Sequence, residues 1–301
     1  MGIKRNSDGF AYFIIGGVEM LDKSDYLTSY DYLNKRLTEN DPHYLRQKDG
    51  YDGEAYLFAQ LKRCSFPMLV CHDLLLSRGV TTQLDFVIIL SDRILLLDVK
   101  HYKGSYTYQD GEFYDRKKEK LGSNPLIQLH RASNVLEAIL KDGGINMPIE
   151  LKLIFTHEQF CLYGNQADLP IVLLSQIVNY FNYLEKVSGP LTDYHHRIAS
   201  YLENIKLKRN PYEKLPKYSF ESLNKGIFCL DCDKTYTISR HRNLVCDKCG
   251  CRESKSVAVS RMIAEFELLF PDVKPSPKLL KEWCGDLVSI ELVGIVLRRC
   301  R

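Results

Sequence analysis

The stretch QLDFVIILSDRILLLDVKHYKG, residues 83–104, holds two short apolar runs, 86–90 and 94–97, that read as adjacent buried strands. Ser91, Asp92 and Arg93 between them make a short polar turn, so the pair is expected as an antiparallel hairpin. Three charges interrupt this apolar surface: Asp85 at the mouth of the first strand, and Asp98 and Lys100 at the end of the second. Side chains alternate along a strand, which puts Asp98 and Lys100 on the same side. Two carboxylates from neighbouring strands make an oxygen cage for a hard divalent cation, with a lysine beside any water that cation would hold. Charges at the ends of such strands are costly unless compensated, which favours a metal site over a bare ion pair between Asp85 and Lys100.

Outward from the hairpin, a helix is expected from Gly53 to about Lys62, burying Ala55, Leu57, Phe58 and Leu61, and a strand over 68–76. Downstream, the strands 105–109 and 112–114 flank Asp110-Gly111, a strong two-residue hairpin signal. Asn124-Pro125 places proline at the first position of a helix whose Leu126, Leu129, Ala132, Val135, Leu136 and Ile139 keep a 3.6-residue period up to Gly143-Gly144. Residues 151–155 and 171–174 read as strands, 175–184 and 193–207 as helices. Upstream, 12–18 reads as a short strand. Residues 24–37 read as a helix capped by Ser24, with Tyr26, Tyr30, Leu33 and Leu37 as its apolar stripe. Strands and helices in this order predict an α/β fold, a mixed sheet covered by helices.

The 301 residues, 45% hydrophobic, suffice for one large core or two modest ones. No apolar run approaches the ~20 residues that span a bilayer, and the first residues lack the pattern of a secretory leader. A cytoplasmic protein with no membrane partner is expected. Five of the ten cysteines lie between Cys229 and Cys251, in paired CxxC spacing that points to metal in a reducing compartment. Residues 205–301 carry 19 Lys+Arg against 12 Asp+Glu, a net of +7, and the remainder carries −4. A mildly basic C-terminal third suits a nucleic-acid-binding appendage.

Four separated pieces, in order, carry a family resemblance: Tyr51-Asp52-Gly53-Glu54; Gln83-Leu84-Asp85; Asp98-Val99-Lys100 running into Tyr102-Lys103-Gly104; and Asn124-Pro125-Leu126-Ile127-Gln128. Together they resemble the nuclease-related domain of the restriction-endonuclease-like PD-(D/E)xK superfamily over about a third of the chain. One departure is Asp98, where this domain more often has glutamate. The resemblance implies a restriction-endonuclease-like mixed sheet and Mg²⁺- or Mn²⁺-dependent hydrolysis of nucleic-acid phosphodiester bonds, DNA ahead of RNA. It implies Asp85 and Asp98 as cation ligands and Lys100 as the group that orients or deprotonates water and stabilises negative charge. Glu54 would bind a second metal or hold waters, and Gln128 would position water or a phosphate oxygen. The alternatives are a non-catalytic nucleic-acid-binding protein that keeps the fold, and a regulatory or scaffold protein that uses its cysteine module for protein contacts.

That module is Cys229-x2-Cys232, thirteen residues, then Cys246-x2-Cys249. Each knuckle presents two thiolates to one tetrahedral ion, and the spacing resembles a zinc ribbon holding structural Zn²⁺. Four thiolates leave no open position for catalysis, and Cys251 is left out of the ligand set. Residues 278–300 read as two short helices around Trp283, for packing before nucleic-acid contact. The expected layout is an N-terminal extension (1–50), the nuclease-related domain (51–205), a linker (206–226), the zinc ribbon (227–252) and a helical tail (253–301).

Overall fold

In the computed structural model, residues 4–5, 11–14, 21, 23–37, 41–164, 168–207, 210 and 213–300 are described. In chain order the elements begin with β1 (Lys4–Arg5), β2 (Ala11–Ile14), α1 (Asp25–Arg36), α2 (Pro42–Leu61), β3 (Leu69–Arg78), β4 (Val80–Ile89) and β5 (Ile94–Lys100). They continue with β6 (Gly104–Gln109), β7 (Glu112–Tyr114), α3 (Pro125–Asp142), β8 (Ile149–Phe155), β9 (Phe160–Tyr163), β10 (Ile171–Leu173), α4 (Ile177–Val187) and α5 (Asp193–Ile205). Three short strands, β11 (Ile238–Arg240), β12 (Asn243–Val245) and β13 (Arg252–Ser254), precede α6 (Lys255–Leu269), α7 (Pro277–Cys284) and α8 (Ile290–Arg299). The chain divides into two compact units, residues 1–22 with 48–212, and residues 23–47 with 213–301.

The first unit is built on the expected hairpin. Strands β4 and β5 pair antiparallel, with Ile89 opposite Ile94 and Phe86 opposite Leu97. They lie inside a mixed sheet of order β1-β2-β3-β4-β5-β8-β10, whose last two junctions are parallel. Buried on both sides, β5 needs the continuous apolar run that its sequence supplies. One face, with Leu69, Val87, Ile94, Leu96 and Leu153, packs on Leu129, Leu136 and Ile139 of α3 and Ile198 and Leu202 of α5. The other, with Val70, Phe86, Ile88, Leu95, Leu97 and Val99, packs on Leu57, Phe58 and Leu61 of α2 and Phe181 and Leu184 of α4. The Asp110-Gly111 turn joins β6 to β7 as expected, with both residues at positive φ. Asn124 caps α3, its side chain accepting from the Leu126 N–H at 3.0 Å.

Several elements differ from the sequence reading; strand β4, expected at 86–90, begins at Val80 and pairs with β3 along its length. Helix α2 starts at Pro42 rather than at Gly53 and runs through both Gly50 and Gly53. Strand β9 was not expected; its residues alternate half-buried and exposed, and it adds to the edge of a separate sheet of order β7-β6-β9. Strand β2 covers the start of the expected strand at 12–18, and residues 15–18 lie outside the described residues.

The second unit contains α1, the cysteine module and the helical tail. Ser24 caps α1 as expected, accepting from the Leu27 N–H at 3.1 Å. Its buried face is Leu27, Ser29, Tyr30, Leu33 and Arg36, so a guanidinium stands where an apolar stripe was expected. Arg36 is fully buried, paired with Glu265 of α6, donating to the carbonyls of Asn224 (2.7 Å) and Gly226 (3.2 Å), and stacked over the Trp283 ring at 3.7 Å. A buried charge persists only with such complete compensation. Around it, Met262, Ile263, Phe266, Leu280, Trp283 and Val293 form one core with Cys229 and Cys246.

Candidate active site

The site forms where β4 and β5 part. Beyond the Phe86–Leu97 pair the ladder between them stops, and the Val99 N–H donates to Asp85 Oδ2 at 2.8 Å. A sheet donor is thus satisfied by a carboxylate. On β5, Asp98 and Lys100 share the face of Ile94 and Leu96, as alternation requires. The Lys100 Nζ is 2.7 Å from Asp98 Oδ2 but off the hydrogen-bonding direction, leaving that buried oxygen an ion-pair partner and no aligned donor. From the opposite face of the sheet, α2 brings Glu54, whose Oε2 is 2.7 Å from His72 Nε2 on β3. The His72 ring rests against Phe86, with centroids 4.8 Å apart.

Gly53 lets α2 come this close. A Cβ there would lie 2.9 Å from Thr156 Oγ1, 3.0 Å from His101 Cβ and 3.3 Å from Val99 Cγ1. Glu54 is the next residue, so the glycine sets how near its carboxylate stands to the strand ends. Thr156 has no room to yield, because its Oγ1 is bonded to His101 Nδ1 at 2.9 Å. The His101 ring packs on His157 at 4.6 Å, and burial, then the neighbouring His157, hold its pKa below the ordinary value.

Electrostatics tie these groups together. Burial, then the charges of Asp98 and Glu54, push the Asp85 carboxyl well above the usual carboxylate range, against the pull of Lys100 and the Val99 N–H. Burial also raises Asp98, opposed by Lys100. For Lys100, burial would favour the neutral amine, but Asp98 and Asp85 more than offset it and hold its pKa above the ordinary value. A buried Asp85 repelled by Asp98 and Glu54, and an Asp98 oxygen without an aligned donor, fit a hard divalent cation, whose charge would relieve the repulsion.

Gln128 stands on the first turn of α3, exposed, its amide donating to Ser123 Oγ at 2.7 Å. The structure therefore brings together Glu54, Asp85, Asp98 and Lys100, and shows no bond from Gln128 to them. His72 went unnoticed in the sequence. Its only signal is spacing: it lies two residues from the buried Val70, on the face that α2 covers.

In the second unit the sulfurs of Cys229, Cys232, Cys246 and Cys249 lie within 4.8 Å of one another, with the Cys229–Cys249 and Cys232–Cys246 pairs at 3.6 and 3.5 Å. Tetrahedral Zn²⁺ with bonds of ~2.3 Å needs sulfurs ~3.8 Å apart, so the cluster is compatible with a zinc ribbon. Burial would raise the Cys229 thiol, but backbone N–H groups of Asp231 and Cys232, then Cys249 and Cys246, bring it down to about 6. The Cys251 sulfur instead lies 3.7 Å from the Tyr236 hydroxyl.

No curated protein and no solved structure matches the chain. No helix among the described residues is long and apolar enough to cross a membrane. A family model does match, over residues 49–156, the span that contains Glu54, His72, Asp85, Asp98 and Lys100, and it suggests a nuclease-related function. The model that the segment building this acidic site matches is that of a nuclease-related domain.

Proposed function

We propose that the chain is a Mg²⁺- or Mn²⁺-dependent nuclease that hydrolyses DNA phosphodiester bonds in the cytoplasm. The observation that carries this reading is the buried Asp85 carboxylate with Asp98, Glu54 and Lys100 around it, and Asp98 Oδ2 lacking an aligned donor. In it Asp85 and Asp98 hold the cation, which supplies charge neutralisation at the phosphate and acidifies water. Lys100, 2.7 Å from Asp98, orients the attacking water or takes its proton and stabilises developing negative charge. Glu54, fixed by His72, holds waters or a second ion, and Gln128 meets the substrate backbone at the start of α3. The four cysteines hold structural Zn²⁺, and the ribbon and tail help to hold nucleic acid.

The test is cleavage of labelled single- and double-stranded DNA, with RNA alongside, in Mg²⁺, Mn²⁺ or EDTA. Wild type is compared with Asp98→Asn and Lys100→Ala. Metal-dependent cutting that both variants lose is the expected result. Wild type that binds but cuts no substrate, with its zinc complete, would leave a nucleic-acid-binding protein in its place.

A further inference from the structure

Strand β3 carries a non-glycine residue in the left-handed region at its middle, Asp73 with φ of +52°. The ladder to β4 pairs His72 with Phe86 and Leu74 with Leu84, and skips the intervening Asp73–Asp85 pair. The register is unchanged beyond the skip, but the faces are not. On β3, Leu69 and Cys71 lie in the core against α3 and α5, and strict alternation would send Asp73 there next; Leu74 and Leu76 occupy that face instead. On β4, Val87 and Ile89 lie on the same face, and alternation would send Asp85 there; Leu84 occupies it instead. Both strands change phase at the skipped pair, and Asp73 alone of the two has a positive φ.

We infer that Asp73 is the positioning residue for Asp85, a role that rests on the metal-site reading above. Without the phase change, two aspartates facing each other would enter one apolar core, where unpaired carboxylates are strongly disfavoured. With it, two leucines fill that core and Asp85 turns along the sheet to the Val99 N–H. The left-handed conformation costs an ordinary residue energy, and aspartate and asparagine bear it better than most. The Asp73 side chain is itself held: its Oδ1 accepts from Gln83 Nε2 at 2.7 Å. A strained backbone beside a candidate ligand is a pattern that geometry, rather than stability, explains.

The experiment compares Asp73→Gly, Asp73→Asn, Asp73→Ala and Asp73→Val in the full chain. Mn²⁺ affinity is measured by calorimetry, and exchange of the Val99 amide hydrogen by NMR, with Asp85→Ala setting the rate of an amide without its acceptor. Glycine and asparagine, which accept positive φ, should leave both readouts at the wild-type level. Valine, which resists it, should weaken Mn²⁺ by about 10–100-fold, the range for losing an outer support of a metal ligand, and raise Val99 exchange to the Asp85→Ala rate. Alanine should fall between glycine and valine and carries the comparison if the valine variant does not fold. Valine with unchanged affinity and exchange, or glycine as damaging as valine, would overturn the inference. Failure of wild type to bind Mn²⁺ would sink the metal reading on its own, because Val99 exchange still reports whether Asp73 sets Asp85.

Discussion

Replacing Gly53 by alanine should destabilise the first unit, although the same exchange at Gly50, three residues earlier on α2, should stabilise it. In a helix interior alanine is better than glycine by about 1 kcal/mol. At Gly50 nothing lies within 4 Å of the added Cβ, so that gain is realised in full. At Gly53 the new methyl meets Thr156 Oγ1 at 2.9 Å and His101 Cβ at 3.0 Å. Neither can swing aside freely, since the Thr156 hydroxyl and the His101 ring are bonded to each other. Overpacking of this kind costs about 1–3 kcal/mol, which cancels or outweighs the helix gain. The two variants should therefore differ by about 1–3 kcal/mol, at roughly 2–4 °C in Tm per kcal/mol for a unit of this size. Urea unfolding at constant m-value reads the difference. Relief by lifting α2 would also move Glu54 from His72, so Gly53→Ala should lose metal affinity where Gly50→Ala does not. Equal stabilisation by both substitutions, with metal affinity intact, would refute the idea that the close approach of α2 sets the site.

Asp85→Asn should raise the Tm of metal-free protein while abolishing any rise on adding Mn²⁺, both read by thermal shift. The sign follows from the raised Asp85 pKa: ionisation opposes folding, a penalty absent below the unfolded-state value of about 3.9 and growing as pH rises above it. The gain should thus be large at neutral pH and vanish in acid, and a lower Tm at neutral pH would contradict it. Cys232→Ser, or a strong zinc chelator, should remove bound zinc and unfold the second unit, since ribbon folding and metal binding are one equilibrium. Cys251→Ser should keep its zinc by elemental analysis, because that sulfur is outside the four-sulfur cluster and 3.7 Å from the Tyr236 hydroxyl.

What could be read from the sequence was what repeats locally. The apolar runs on either side of Ser91-Asp92-Arg93, the Asn124 cap and the cysteine spacing each carry their signal within a few residues, and each appears where periodicity put it. Helix α2 was read too short because Gly50 and Gly53 look like breakers; only the tertiary contact at Thr156 explains a glycine kept inside a helix. Alternation placed Asp98 and Lys100 together but would have placed Asp85 in the core, because the left-handed turn at Asp73 leaves no periodic trace. His72 and Arg36 were missed for a related reason: each is explained by a partner on another element, Glu54 on α2 and Glu265 on α6.

The separation of Arg36 from Glu265, 229 residues, has a consequence for how the protein is made. At about 5–20 residues per second, α1 leaves the ribosome some 10–50 s before its carboxylate partner exists. For that interval a helix whose buried face includes a guanidinium has nothing to bury it in. The first unit, complete by residue 212, can fold in the meantime, while α1 waits in the segment that joins its two parts. The second unit is thus closed by its last-made helices, and a chain halted before α6 would display α1 as an unmatched amphipathic segment, open to chaperones and proteases.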